Sequence, residues 1–262
     1  MPEFRDCMRI LITGHKGFIG QNMAKALSNH DLSLFEWGDA DIPLDVDRVI
    51  HLGAISDTRC TDWSALFLQN YLFTTNLVSQ CIKRNIPIQV ASSASVYGNS
   101  TTFKETDNPK PLNLYAKSKR MCEDACLAMG RGSPVQFFRY FNVYGPHEDH
   151  KGDQASPFHK FREQAKTGTI KIFEGSENFK RDFIPVESLI NNHVRFFDID
   201  ESGIWNVGTG EATSFADVAR MVSLEIPAKI ETIPMPEDIK AGYQKFTQAD
   251  LTKLNRTLKL KE

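Results

Sequence analysis

The chain has 262 residues and a formal net charge of −2, a length that suits one domain, or one domain with a small lobe. The nearly balanced charge predicts no nucleic-acid partner, and no apolar run approaches the roughly 20 residues that a membrane-spanning helix needs. Residues 1–7 carry Glu3, Arg5 and Asp6 in place of the apolar stretch of a signal peptide, so we expect a cytoplasmic protein.

Strand and helix patterns alternate through the first half of the chain. Short apolar runs predict strands at residues 8–13, 32–35, 48–52, 86–91, 135–140 and, later, 203–207. Helical patterns lie at residues 21–27, 65–83 and 115–129. The alternation predicts an α/β fold, a Rossmann-like doubly wound parallel sheet with helices on both faces.

The alternation stops after Phe141, and glycine, proline and charged residues dominate residues 145–180. We therefore expect a nucleotide-binding core over residues 1–142, to which residues 184–210 return. Residues 143–183 and 211–262 are expected to form a smaller C-terminal substrate lobe. Only residues 37–47 connect the second strand to the third, which is short for a crossover between parallel strands, so this region is predicted to be shortened.

A glycine loop follows the first strand directly and opens the first helix. Glycine permits a tight turn and lets the backbone approach a pyrophosphate, whose charge the helix N-terminus favours. This placement predicts a dinucleotide site. The alternative is a plain strand-to-helix turn. The predicted contacts are Gly14, Gly17, Phe18, Ile19 and Gly20.

Glu36 lies about 20 residues after the loop, where an acid can accept a hydrogen bond from the ribose 2′-hydroxyl of NAD. No Lys or Arg occurs between Lys25 and Arg48 to bind a 2′-phosphate, which favours NAD over NADP. The alternative for Glu36 is a solvated surface charge. The residues after the third strand, Leu52, Gly53 and Ala54, are expected to pass under the cofactor, and Gly53 allows close backbone approach.

Tyr115 and Lys119 are four residues apart near the start of a predicted helix and share one face. A lysine ammonium beside a phenol stabilises the phenolate and lowers its pKa, which predicts Tyr115 as a general base. The serines of residues 92–98 leave a strand one element earlier, where their hydroxyls can hold a substrate oxygen. Alone, each pattern is also common on helix surfaces and strand ends.

The five cysteines are scattered and include no Cys-x-x-Cys pair. Because a metal site needs clustered ligands, no metal site is predicted.

Together, the glycine loop, Ser92-Ser93-Ala94 and Tyr115-x-x-x-Lys119 resemble the extended short-chain dehydrogenases/reductases that act on nucleotide sugars. The resemblance implies that Ser93, Tyr115 and Lys119 are the catalytic trio, and that Lys119 also binds the nicotinamide ribose. Dehydratases of this family carry Asp-Glu where this chain has Ala94-Ser95, which argues against elimination of water.

Residues 138–146 are shared by many such enzymes, whereas three further strings, residues 150–152, 173–183 and 243–251, resemble the ADP-glyceromanno-heptose 6-epimerases in the same order. Such enzymes invert C6 of an ADP-linked heptose by transient oxidation with NAD or NADP. The resemblance implies that Tyr115 and Lys151 serve as acid and base on the two faces of the ketone. Without it, Lys151 has the pattern of a solvated surface lysine.

The resemblance also implies further contacts. Val143 is expected at the cofactor, and the substrate-binding positions would be Ser93, Asn142, His159, Phe173, Glu174, Gly175, Ser176, Arg181 and Tyr243. Arg181 suits a pyrophosphate, because a guanidinium binds two oxygens at once; the alternative is a surface ion pair with Asp182 or Glu177.

This chain departs from the resembling enzymes at Asp153, where they carry a substrate-contacting serine. An acid close to an anionic substrate is unfavourable, so the sugar stays open. The alternatives are another nucleotide-sugar 4-epimerase or reductase, and a non-catalytic remnant that binds only cofactor. The resembling enzymes are commonly homo-oligomers, and we expect the same here.

Overall fold

The computed structural model describes residues 7–130, 132–236 and 245–259. Six parallel strands form the main sheet, and they match the predicted ranges within two residues. In chain order they are β1 (Arg9–Thr13), β2 (Asp31–Phe35), β3 (Arg48–His51), β4 (Ile88–Ser93), β5 (Val135–Tyr140) and β9 (Gly203–Val207). Their spatial order is β2-β1-β3-β4-β5-β9. The α/β, Rossmann-like fold is confirmed.

Strand β4 begins and ends two residues later than predicted. Pro87 has no N–H for the ladder, and its carbonyl accepts a hydrogen bond from Val49 N at 3.0 Å. The strand therefore starts at Ile88 and continues through Ser93. This shift places Ser93 at the carboxyl end of the sheet.

Helices cover both faces of this sheet. They are α1 (Phe18–Ala26), α2 (Trp63–Leu66), α3 (Phe73–Arg84), α4 (Leu114–Leu127) and α6 (Val186–Arg195). Alternate strand residues face opposite sides, so Ile10 and Phe138 pack with α1 and α6, whereas Leu11 and Phe137 pack with α3 and α4. The single helix predicted over residues 65–83 is interrupted by a π-helical turn, Phe67–Leu72.

The connection between β2 and β3 is as short as predicted. Residues 36–47 contain neither helix nor strand, and among the described residues β2 is the outer strand of the sheet. Leu44 and Val46 are buried against Phe35 and Val49. The loop thus covers the apolar face that a crossover helix would otherwise cover.

The second half forms two small sheets. One contains β6 (Asn142–Tyr144), β8 (Lys180–Pro185) and β10 (Ala212–Ser214), and the other pairs β7 (Thr169–Phe173) with β11 (Lys229–Ile233). Helices α5 (Pro157–Ala165) and α7 (Phe215–Glu225) share an apolar cluster with β7. These elements belong to the C-terminal substrate lobe proposed from the sequence.

The last helix, α8 (Thr252–Lys259), corrects the proposed extent of the lobe. Its Leu254 and Leu258 belong to the same buried cluster as Phe138 and Trp205, and the Trp205 indole donates to Thr257 Oγ1 at 3.0 Å. Because its apolar face is buried on the main sheet, α8 belongs with the core. Within the described ranges, no helix has the length and apolarity needed to cross a membrane.

Candidate active site

A cleft opens at the carboxyl ends of β1, β3 and β4, next to the first turn of α1. It holds about 880 Å³ of empty space. Chain connections leave β1 and β3 in opposite directions at this point, which is where open α/β sheets bind ligands. The lining brings together Gly14, Gly17, Phe18, Ile19, Gly20, Glu36, Leu52, Gly53, Ala54, Tyr115, Lys119 and Lys151.

The glycine loop lies against the end of β3, and Gly14 and Gly20 have no room for a side chain. Gly14 has a φ of 72°, and a Cβ there would lie 2.5 Å from Gly53 N. A Cβ on Gly20 would collide with the carbonyl of Gly14. Gly17 is the N-cap of α1 and lines the cleft together with the first turn of the helix, whose backbone N–H groups have no partner within the helix. The loop fits the pyrophosphate of a dinucleotide.

Glu36 closes the far end of this cleft. Its Oε1 accepts a hydrogen bond from Lys16 N at 2.6 Å and lies 3.3 Å from His15 Nδ1. The carboxylate is therefore held on the glycine loop, beside the position predicted for the ribose. The sequence argument for NAD overlooked that the loop itself brings His15 and Lys16 to this place.

An aromatic recess adjoins the cleft behind Glu36, and the sequence analysis missed it. The rings of Phe35 and Phe73 stack with centroids 5.7 Å apart, and Trp37 meets Phe73 edge-on at 5.4 Å. Gln69 contributes an amide to the same wall. A flat, partly apolar recess of this kind suits a purine base.

Ser93, Tyr115 and Lys119 meet where β4 faces α4. Asn113 caps the helix by accepting a hydrogen bond from Ala116 N at 2.8 Å, which fixes the start of the turn that carries Tyr115. Tyr115 and Lys119 are both buried. Ser93 Oγ donates to Ser95 Oγ at 3.0 Å, and Ser93 is close enough to the phenol of Tyr115 to lower its pKa.

The electrostatics of this trio differ from the expectation. Burial raises the pKa of Tyr115, and the group that lowers it is Ser93 rather than Lys119. Lys119 Nζ donates to the carbonyl of Ala91 at 2.8 Å, and burial lowers its pKa. The reason is geometric, since the ammonium is directed to the β4 backbone and not to the phenol.

Buried polar side chains form hydrogen bonds to the elements that carry the trio. Asn70, in the π-helical turn, accepts from Ile55 N at 2.8 Å and donates to Ser118 Oγ at 3.0 Å. It therefore joins the segment under the predicted cofactor position to α4. Glu123 lies one helical turn after Lys119 and accepts from Ser92 Oγ at 2.6 Å. Neither residue was singled out from the sequence, because their partners are distant along the chain.

Lys151 lies in a 3₁₀ segment, Asp149–Gln154, on the opposite wall. Its Nζ is 4.8 Å from the centroid of the Phe18 ring and 3.5 Å from Glu148 Oε2, with the side chain 23% exposed. Burial lowers the pKa of Lys151, and Glu148 acts in the opposite direction. A largely buried lysine in the same cleft as Tyr115 does not have the surroundings of a solvated surface charge.

A second cleft, with about 710 Å³ of empty space, continues from the first towards the lobe. It shares Phe18, Tyr115 and Lys151 with the cofactor cleft and adds Ser93 and Asn142. Val143 lines this second cleft, and its predicted contact with the cofactor stays a prediction.

The remaining residues predicted to bind substrate lie deeper in the lobe, outside the described lining of both clefts. Phe173 ends β7, and Glu174, Gly175 and Ser176 form the turn behind it. Arg181 is buried in β8, donates to Lys180 O at 3.0 Å and lies over the Phe215 ring. Tyr243 lies outside the described residues.

His159 is on α5, beside Asp149 and Glu163. Ligand atoms of these three residues lie within 4.8 Å of one another. Both carboxylates are exposed, and such groups are common on protein surfaces without an ion. We assign no metal here.

Asp153 is the residue that placed the substrate in doubt, and the structure pairs it with a cation. Its Oδ2 lies 3.3 Å from Arg59 Nη1, and Arg59 follows the segment under the predicted cofactor position. The Arg59 and Asp153 side chains are 62% and 79% exposed, so this ion pair is a surface contact between the segment after β3 and the segment that carries Lys151.

Comparison with known proteins identifies the family of this chain. The sequence model of the NAD dependent epimerase/dehydratase family matches residues 42–208. The chain is 39% identical to the ADP-L-glycero-D-manno-heptose-6-epimerase of Brachyspira hyodysenteriae, over 94% of this chain and 90% of that protein.

Two solved structures extend the similarity to three dimensions. The ADP-L-glycero-D-manno-heptose-6-epimerase of Helicobacter pylori has a TM-score of 0.84 at 26% identity, covering 97% of this chain and 91% of that one. MoeE5 in complex with UDP-glucuronic acid and NAD has a TM-score of 0.79 at 26% identity, covering 96% and 92%. On its sequence, its fold and its cleft, this chain belongs to the NAD dependent epimerase/dehydratase family.

Proposed function

We propose that this protein is a nucleotide-sugar epimerase, an isomerase that inverts C6 of ADP-D-glycero-D-manno-heptose with a bound nicotinamide dinucleotide. The observation that carries the proposal is the pairing of Tyr115 and Lys151 across one cleft from two different elements. A single acid/base group serves one face of a planar ketone, whereas two groups on opposite walls serve both faces. The 39% identical relative bears the name of this reaction.

A bound nicotinamide dinucleotide would supply hydride-transfer chemistry at C6. The chain's own residues bind the C6 oxygen and transfer its proton. Ser93 is proposed to hold that oxygen beside the Tyr115 phenol, whose pKa it lowers against the effect of burial. Lys119 is buried in the same cleft, where it is proposed to bind the nicotinamide ribose.

Lys151 is proposed to serve the other face of the transient ketone. Burial lowers the pKa of its ammonium, so proton exchange with an alcohol oxygen becomes easier than for a solvated lysine. The ring of Phe18 lies against the same ammonium and keeps it at the cleft wall. Substrate is proposed to lie along the second cleft, between Asn142 and the lobe.

For the cofactor we propose NAD in preference to NADP, because the Glu36 carboxylate lies where a 2′-phosphate would add a second negative charge. The cytoplasmic location and the homo-oligomer expected from the sequence stay predictions.

The decisive experiment is incubation of the purified protein with ADP-D-glycero-D-manno-heptose in D₂O, followed by NMR. We expect the L-glycero epimer with the original hydrogen retained at C6, because hydride leaves and returns without exchange. Deuterium at C6 would contradict transient oxidation. Turnover of UDP-sugars at C4 instead would favour a 4-epimerase. MoeE5, which has a similar fold, is a relative that binds UDP-glucuronic acid. Cofactor binding with no turnover of any nucleotide sugar would favour a non-catalytic remnant.

A further inference from the structure

Glu148 is a buried carboxylate that the sequence analysis did not single out. It is 1% exposed and directly precedes the 3₁₀ segment that carries Lys151. Its Oε1 accepts from Gly145 N at 3.1 Å and from Ser156 Oγ at 2.7 Å. Its Oε2 accepts from Ser156 N at 2.6 Å and lies 3.5 Å from Lys151 Nζ. One side chain thus contacts three separate points of this region.

These partners lie on both sides of the Lys151 segment in the chain. Gly145 precedes the segment and Ser156 follows it, so the carboxylate joins its two ends. Ser156 is also the N-cap of α5, where its Oγ accepts from His159 N at 3.2 Å. The loop that carries Lys151 is therefore fixed to a helix of the lobe through Glu148.

The contact between Glu148 and Lys151 also balances their opposite charges. A buried carboxylate is costly unless a cation and hydrogen bonds balance it, and the Lys151 ammonium provides that cation. In return, Glu148 raises the pKa of Lys151, against burial and against Lys160 of α5, which both lower it. The other titratable groups that line these clefts are Glu36 after β2, Tyr115 and Lys119 of α4, Tyr140 of β5, and His150 of the same segment as Lys151. Asp153 of that segment pairs with Arg59.

We propose that Glu148 is a positioning residue for the reaction: it fixes Lys151 Nζ at the cleft wall and supplies the negative charge that balances it. This inference rests on the proposed function only in giving Lys151 an acid/base role. The contact between the two side chains is a property of the chain itself. Without the carboxylate, burial acts on the ammonium unopposed and favours the neutral amine.

The direct test is competitive acetylation of the lysine amines across a pH series, read at Lys151 by mass spectrometry. Only the neutral amine reacts, so the midpoint reports the protonation of Lys151 without any need for turnover. In Glu148→Gln we expect this midpoint at lower pH than in the parent protein. The matched control is Ser156→Ala, which loosens the same junction and keeps the charge, and its midpoint should stay in place.

Turnover gives a second readout. The limb of the kcat–pH profile that belongs to Lys151 should move to lower pH in Glu148→Gln, and KM should stay within about twofold. An unchanged labelling midpoint and an unchanged profile would overturn the proposal. If Glu148→Gln does not fold, Glu148→Asp takes its place: it keeps the charge but is too short for all three partners, so kcat should fall while the labelling midpoint stays near the parent value. A labelling midpoint for Glu148→Asp that lies clearly below the parent value would also count against the proposal.

The variant Lys151→Ala separates this proposal from the proposed function. If Lys151→Ala keeps full kcat, the acid/base role of Lys151 fails, and the labelling result still decides whether Glu148 balances its charge. If Lys151→Ala loses kcat but Glu148→Gln behaves like the parent protein, the epimerase mechanism stands and the role of Glu148 fails.

Discussion

A buried phenol is a poor base unless nearby groups stabilise its anion. Tyr115 is such a phenol, and the described group that lowers its pKa is Ser93, at the very end of β4. Lys119 is close in sequence but directed to the Ala91 carbonyl. At the scale of single residues, Ser93 is therefore the described neighbour that favours the phenolate of Tyr115.

Tyr115→Phe should lower kcat by at least about 10²-fold, because the ring stays and only the proton-transferring oxygen is lost. Thermal unfolding should change little. Tyr144→Phe is the control, since Tyr144 stacks on Phe158 in the lobe and also loses one phenol oxygen. Steady-state kinetics on both variants checks this, and near-full activity in Tyr115→Phe would remove Tyr115 from the mechanism.

Glu36 should decide between the two dinucleotides. We expect NAD to bind at least as tightly as NADP, and Glu36→Gln to narrow the difference, because a neutral amide no longer repels a 2′-phosphate. Isothermal titration measures both affinities. Asp41→Asn removes an exposed charge from the same loop and should leave the ratio unchanged. Tenfold tighter NADP in the parent protein, about 1.4 kcal/mol, would contradict the assignment.

At the scale of elements, the strands were predictable because each is a short apolar run bounded by turn residues. The π-helical turn Phe67–Leu72 was not, since its cause is the fit of Asn70 between Ile55 and Ser118. Glu148 escaped notice for a similar reason. The one local signal was its spacing of three residues from Lys151, and its other partners become visible only in the fold.

The ion pair that joins α4 to β5 was likewise not predictable from the sequence. Arg139 and Glu123 are both fully buried and meet at 2.7 Å, with a second bond at 2.9 Å. Glu123 also accepts from Ser92 of β4. Three elements beneath the catalytic trio are thus joined by one carboxylate, a contact that no periodicity in the sequence reveals.

Glu123→Ala should lower the free energy of unfolding by about 3–5 kcal/mol, because it leaves the Arg139 guanidinium buried without a counter-charge. The control on the same helix is Asp124→Ala, which breaks an exposed pair with Arg120 and should cost about 1 kcal/mol or less. Urea unfolding measures both. A loss under 1 kcal/mol for Glu123→Ala would mean that water reaches Arg139.

At the scale of the whole molecule, two buried histidines link stability to pH. Burial lowers the pKa of His51 and of His193 from 6.5 to about 3. His193 lies 2.6 Å from the Tyr140 hydroxyl and 2.8 Å from Gln89 Oε1. His51 lies between two threonine hydroxyls. Both imidazoles stay neutral in the folded protein at pH values where an unfolded chain protonates them.

Stability should therefore fall as the pH drops below about 6.5, because the unfolded state binds these protons and the folded state does not until about pH 3. Each histidine contributes about 1.4 kcal/mol per pH unit in this window. Urea unfolding between pH 7 and 5.5 measures the slope. His193→Gln should reduce it, and His147→Asn, at an exposed site, should leave it unchanged. A flat profile would show that both rings are protonated in the folded protein.

The short connection after β2 has a consequence for how copies of the protein behave at high concentration. Among the described strands, β2 pairs only with β1, so the backbone groups along its other side have no strand partner in the sheet. Leu34 on this strand is 44% exposed. An open edge of this kind is a template for a foreign strand, and on heating it is where intermolecular β-pairing and precipitation should begin. The strand's five-residue length and the acids that flank its apolar part, Asp31 and Glu36, limit that growth.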